Sequence, residues 1–346
     1  MSKAGAAKKL AQAAAFGGGG LGLIGATLYG VLTAEARYAR RVIGPMKAHP
    51  ARGDGLYGLY PGHPITLAMI GDSSAAGYGT SSPDETPGVL LACGLAELAK
   101  RPVRLVDVSK VGAKSIDLAP QVDTALLAGP HVAAILIGVN DVKAQVPPSQ
   151  SVRLLDAAVR RLRAAHCEVV VGTCPDLGVV RPIMPPLRQV ARSWSRRLAA
   201  AQTIAVVEAS GRTVSMGSLL SEAFRTNPSM WGPDNFHPSV TGYAAAAAAL
   251  LPSVAAAVGV GPESFLHPEA FRGEAVLPIA EAAVQAVRMA GTEVAATRVA
   301  GNERGPRGRW AELRHRRRHP KPEVAKVDEG VPETETGTVA EPLPAS

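Results

Sequence analysis

Aromatic residues are scarce in this chain. Phe, Tyr and Trp make up 4% of 346 residues, while apolar residues reach 47%. A full hydrophobic core is available, so wholesale disorder is excluded. The shortage of aromatics speaks against an all-β sandwich, whose strands favour aromatic and β-branched side chains. Cysteine is scarcer still, with three in the whole chain. That excludes a disulfide scaffold and any four-cysteine zinc site. Cys93 falls in a helical pattern, while Cys167 and Cys174 flank a strand and lie too far apart to pair. All three read as buried thiols. Gly-x-Ser-x-Gly is missing, which argues against an α/β-hydrolase elbow. A glycine-rich nucleotide loop is missing as well. His63, His131 and His166 have no ligand-spaced partners, so neither a metal nor a cofactor is expected.

Charge is absent from one long stretch. Leu10 to Ala34 contains no Lys, Arg, Asp or Glu, and these 25 residues are flanked by Lys3, Lys8 and Lys9 before and Arg37, Arg40 and Arg41 after. As a helix this run would cross ~30 Å of hydrocarbon. Residues 1–36 are therefore expected to be a membrane anchor or a signal segment, with Ala34-Glu35-Ala36 as a small-x-small cleavage site. A soluble Gly/Ala-rich helix or linker is the third reading, because Gly17 to Gly20, Gly22, Gly25 and Gly30 weaken both hydrophobicity and helix propensity. Basic residues on both flanks leave the membrane orientation open. Residues 37–63 read as a linker.

The other end is charged in blocks. Between Arg304 and Lys321 there are seven Arg and one Lys against Glu312 alone, and from Glu323 onward six acids oppose Lys326. Without hydrophobic periodicity, residues 300–346 read as a disordered basic-then-acidic tail. No nucleic-acid motif accompanies the basic block, so no nucleic-acid partner is expected. Residues 259–299 form an additional segment, with a helical pattern over about 270–298.

Residues 64–258 alternate between short apolar runs and helical periods. Strands are predicted at Ile65–Ile70, Val103–Val108, Val132–Ile137, Glu168–Thr173 and Ile204–Glu208. Helices are predicted near 87–100, 117–128, 150–165, 187–201 and 241–258. The alternation implies a three-layer α/β domain around a five-stranded, flavodoxin-like parallel sheet. Functional groups in such sheets gather at the carboxyl ends of the strands.

Four segments sit at those ends. Gly71-Asp72-Ser73-Ser74 follows the first strand, Ser109-Lys110-Val111-Gly112-Ala113 the second and Gly138-Val139-Asn140-Asp141 the third. Asp234-Asn235-Phe236-His237-Pro238 precedes the last helix. A serine needs a base to become a nucleophile. His237 can serve, held in one tautomer by Asp234 three residues earlier. A tetrahedral intermediate needs donors for its oxyanion, and the Ser73 and Gly112 N–H groups and the Asn140 amide can provide them. Asp72 and Asp141 read as loop braces. His267-Pro268 lacks an acid three residues earlier and lies outside the sheet domain.

These segments resemble the blocks of the SGNH, or GDSL, esterase/lipase family: Gly71-Asp72-Ser73, Gly138-x-Asn140-Asp141 and Asp234-x-x-His237-Pro238, in the family's order. The resemblance covers about residues 64–258 and is closest to membrane-associated or exported members from high-GC Gram-positive bacteria. Ser74 stands where the family's short name has leucine. The resemblance implies Ser73 as nucleophile, Asp234 and His237 as its partners, and Ser73, Gly112 and Asn140 as the oxyanion hole. It implies a serine esterase acting on carboxylic esters, of a lipid or an acylated sugar, through an acyl-enzyme. Envelope acyl transfer with the same residues and an idle membrane-attached binding module are the alternatives. The implied catalytic domain is extracytoplasmic. Neither the acyl chain nor the oligomeric state is readable.

Overall fold

The computed structural model describes residues 19–43, 50–261 and 293–295. In chain order these form α1 (Gly19–Ile43), β1 (Gly55–Tyr57), β2 (Ile65–Gly71), α2 (Ser73–Ala76), α3 (Pro87–Ala99), β3 (Val103–Asp107), α4 (Leu118–Leu126) and β4 (Val132–Leu136). Then come α5 (Val139–Lys143), α6 (Pro148–Ala164), β5 (Glu168–Gly172), α7 (Leu187–Glu208), β6 (Arg212–Val214), α8 (Met216–Thr226), α9 (Val240–Ala257) and β7 (Glu293–Ala295).

The sheet order is β1-β3-β2-β4-β5-β6-β7, with β3, β2, β4, β5 and β6 parallel and both edge strands antiparallel. Strand β2 lies inside the sheet and is buried along its whole length. Its side chains alternate between two cores, as a strand's period of two demands. Ile65, Leu67 and Met69 face α3 and α9, whereas Ala68 and Ile70 face α4 and α6. Burial on both faces explains its unbroken apolar run.

Local chemistry sets the helix ends. Thr86 caps α3 through Oγ1, which accepts from the Val89 N–H, and Pro87 occupies the first helical position, where no N–H is needed. Ser239 caps α9, its hydroxyl accepting from the Gly242 N–H at 3.2 Å. Helix α9 is long and apolar enough to cross a membrane, yet half of it is buried within this domain, with Leu250 and Val254 fully enclosed.

The parallel five-stranded centre matches the sequence expectation, with one strand misplaced. Ile204–Glu208 is the last turn of α7, and the fifth parallel strand is Arg212–Val214. A short apolar run fits a buried strand and a buried helix face equally well; here Ala205, Val206 and Val207 are buried helix residues. Neither antiparallel edge was foreseen. Strand β1 lies within residues 37–63, expected as linker, where the end of α1 also lies. The three-residue β7 stands within the helical pattern expected near 270–298; the rest of 259–299 beyond residue 261, and the tail 300–346, lie outside the described residues. Cys93 is exposed rather than buried, while Cys167 and Cys174 are buried.

Candidate active site

The turn after β2 allows only glycine. Gly71 has φ +138°, and a Cβ there would stand 1.9 Å from the Leu136 carbonyl oxygen of β4. The Gln121 side-chain amide takes the place of a strand neighbour: its Oε1 accepts from the Gly71 N–H at 2.7 Å and its Nε2 donates to the Gly71 carbonyl at 3.0 Å. With the strand end gripped on both groups, the chain turns directly into α2. Asp72 caps that helix, its Oδ1 accepting from the Ser74 N–H at 2.8 Å. Ser73 is the first helical residue, so no carbonyl within the helix claims its N–H.

Asp234 and His237 lie in the turn before α9. That turn is closed by the Gly232 N–H donating to the His237 carbonyl at 2.8 Å. Asp234 Oδ1 accepts from the N–H groups of Phe236 and His237 at 3.0 and 2.9 Å. Its Oδ2 is 2.6 Å from His237 Nδ1, and His237 Nε2 is 3.1 Å from Ser73 Oγ. Three residues from opposite ends of the domain thus form one chain of hydrogen bonds. Burial acts to raise the Asp234 carboxyl, but the hydrogen bonds from His237 and the two backbone N–H groups outweigh it and hold the group below its ordinary range. It therefore carries a negative charge at neutral pH. The imidazole is flanked edge-on by Tyr78 and Phe236, with ring centroids at 4.8 and 5.0 Å.

Gly112 and Asn140 belong to the same edge. The Lys110 N–H donates to the Gly71 carbonyl at 3.0 Å, which seats the loop after β3 beside the Ser73 turn. Asn140 Nδ2 donates to the Ala113 carbonyl at 3.0 Å, linking α5 to that loop. One amide hydrogen of Asn140 is committed there; the other is available. Gly112 has φ +81° and open space around it, a backbone conformation suited to glycine. Asp141 braces the region, accepting from the Ser115 N–H at 3.0 Å and the Ser151 hydroxyl at 2.9 Å.

Asp72 departs from a simple brace. Its Oδ2 is buried without a hydrogen-bond partner among the described residues. Burial pushes its carboxyl up to about 6. Tyr243 packs close by, its hydroxyl donating to the Tyr78 carbonyl at 2.8 Å.

Beside Ser73 and His237 opens an apolar pocket of about 100 Å³. Val180, Met216, Leu220, Phe224, Trp231 and Phe236 form much of its wall. Sequence reasoning did not find these residues, because they come from four separate loops and helices and share no motif. The one available signal was that scarce aromatics cluster between Phe224 and Tyr243. The pocket's outer loop is fixed by Asp176, which accepts from the Gly178 N–H at 2.7 Å and pairs with Arg196 at 2.8 Å. Among the described residues no group of three His, Cys, Asp or Glu side chains could hold a metal ion.

Comparison with known proteins gives a consistent family. The profile described as the GDSL-like lipase/acylhydrolase family matches residues 69–245. The chain is 42% identical over 252 residues to the GDSL-like esterase Rv1075c of Mycobacterium tuberculosis, covering 69% of this chain and 79% of that protein. Among solved structures, it is similar to TesA with 23% identity and a TM-score of 0.43, over 54% of this chain and 96% of that one. It is also similar to LAE5, an alpha/beta hydrolase enzyme from the metagenome of Lake Arreo, with 22% identity and a TM-score of 0.47, over 58% and 98%. Axe2, an acetylxylan esterase from Geobacillus stearothermophilus, matches with 21% identity and a TM-score of 0.44, over 56% and 94%.

Proposed function

The chain belongs to the GDSL-like lipase/acylhydrolase family, an ester hydrolase by that membership, and from this premise we propose that it cleaves carboxylic esters through an acyl-enzyme formed on Ser73. The observation that carries the mechanism is the continuous relay from Ser73 Oγ through His237 to Asp234, at 3.1 and 2.6 Å. His237 Nε2 takes the proton as Ser73 Oγ bonds to the ester carbonyl carbon. Asp234, ionised and doubly anchored to backbone, fixes the imidazole tautomer and stabilises the imidazolium. The oxyanion is received by the N–H groups of Ser73 and Gly112 and the free amide hydrogen of Asn140. As the carbon–oxygen bond to the alcohol breaks, His237 gives its proton to the leaving oxygen. Water then attacks the acyl carbonyl, its proton passing to His237; as the carbon–Oγ bond breaks, His237 returns that proton to Ser73 Oγ and the carboxylic acid leaves.

The apolar pocket takes the acyl half. An apolar cavity of ~150 Å³ holds a benzene-sized ligand, so a pocket of about 100 Å³ suits an acyl chain of a few carbons. The membrane is the proposed location: the uncharged run through Ala34 enters the bilayer, with the catalytic domain on the extracytoplasmic side.

The test is covalent labelling. A serine-directed phosphonate should add its mass to Ser73, and Ser73→Ala should lower kcat by roughly 10⁴–10⁶. Labelling at another residue with full activity in Ser73→Ala would overturn the mechanism.

A further inference from the structure

Helix α1 is joined to the catalytic domain. Glu35 Oε2 accepts the Leu187 N–H at the start of α7 at 2.9 Å, and Ala39 is buried at 6% exposure. This docking brings the next residue, Arg40, within electrostatic reach of Lys143 on α5, three residues after Asn140. Lys143 Nζ stands 5.1 Å from the centroid of Phe236, the ring packed edge-on against His237. Lys143 therefore stands over the ring that borders His237, and the Arg40 charge on α1 acts on it.

Neither cation has an acidic partner in contact among the described residues. The nearby acids are already occupied or enclosed. Both Asp234 oxygens serve the His237 turn, and Asp72 is buried beneath Ser73. Partial desolvation, reinforced by Arg40, lowers the Lys143 ammonium against the pull of Asp72 and Asp234. Bringing like charges together costs free energy that an incoming anion would recover. Lys143 and Arg40 are both exposed, so the position is open to a ligand.

Reaction geometry says which half of the substrate arrives there. His237 Nε2 must reach the leaving oxygen to protonate it, so the alcohol half lies along the His237 side, while the apolar pocket holds the acyl half. We propose that Lys143 and Arg40 receive an anionic group on the alcohol half of the ester, so that the substrate class is short-chain acyl esters of carboxylate- or phosphate-bearing alcohols. This rests on the esterase reading above. It also makes α1 part of the active-site rim.

The experiment compares two soluble probes on the full chain, the butyrate esters of 4-hydroxybenzoate and of 4-hydroxybenzamide, which differ by one negative charge. The readout is the ratio of their kcat/KM values. In the wild type the ratio should favour the carboxylate and fall as salt is added. Lys143→Gln and Arg40→Gln should each lower it by about threefold to tenfold, the size of a partly screened charge pair. Lys143→Arg should retain it. Arg41→Gln, a neighbour on the same helix, should leave it within about twofold, since one more distant charge is largely screened. A ratio unmoved by both glutamine variants, or moved equally by Arg41→Gln, would overturn the inference while leaving the esterase reading intact. Hydrolysis of neither probe by the wild type would overturn both.

Discussion

Asp72 and Asn140 show how far single residues near Ser73 diverge in what they do. Asn140 holds the loop of Gly112 with one amide hydrogen and, in the proposed mechanism, offers the other to the oxyanion. Asn140→Ala should therefore lower kcat by about 10²–10³ with little change in KM, because the lost bond is strongest in the transition state. Steady-state kinetics on one short-chain ester checks this split. Asp72 concerns stability. Its carboxyl, raised by burial to about 6, binds its proton more tightly in the folded state than in the unfolded one, where it titrates near ~3.9. Its contribution is fully present below the unfolded value and is lost as pH rises through about 6. Asp72→Asn keeps the acceptor for the Ser74 N–H and removes the charge. The variant should gain stability over the wild type as pH climbs from 5 to 7, read by urea unfolding across that window. These residues were legible in the sequence because each stands in a short motif at a strand end. The orphaned Oδ2 of Asp72 was not, since it depends on Tyr243 and the other groups that enclose it.

At the scale of elements, α7 is the instructive case. Its run Ile204-Ala205-Val206-Val207 has strand-like composition, yet it completes a helix of 22 residues. Besides its buried apolar side chains, a polar grip holds that helix to the sheet. Gln202 Oε1 accepts the Cys174 N–H at 2.7 Å, and its Nε2 donates to the Ile137 carbonyl at 3.0 Å. One side chain thereby ties the ends of β4 and β5 together just below the active site. Gln202→Ala would orphan a buried donor and a buried acceptor, at a cost of roughly 2–5 kcal/mol. A urea melt should show this as a lowered midpoint with an unchanged slope. Periodicity could not reveal the role, because a glutamine in a helix pattern reads as surface. The strands fared better: β2, β4 and β5 are apolar runs buried on both faces, and β3 alternates about an exposed Arg104. The edge strands are three residues each, shorter than any pattern that sequence alone can carry.

For the whole molecule, the question is how the N-terminal segment and the sheet domain act together. Helix α1 runs from Gly19 to Ile43 without a break, so residues 19–34 of the uncharged stretch share one rod with the docked stretch. The exposed Leu28, Tyr29 and Val31 lie on its apolar half. If that half enters the bilayer, the full chain should sediment with membranes and resist high salt, which screens surface charge but not hydrophobic insertion. A chain beginning at Ala51 keeps β1 and every residue around Ser73. It should be recovered in solution, active on a soluble neutral ester. Release of the full chain by salt alone would argue for attachment through its basic tail instead. The sequence announced the segment by its lack of charge, but not its docking, because the partner of Glu35 lies 152 residues away at the start of α7.

The bond from the Leu187 N–H to Glu35 also bears on maturation. A leader peptidase cutting after Ala36 would remove that carboxylate from the positive end of α7 and leave a new α-ammonium on Arg37 close by. Processing would thus swap an attractive charge for a repulsive one at a helix terminus of the finished enzyme. The mature form would begin its life less stable than its precursor.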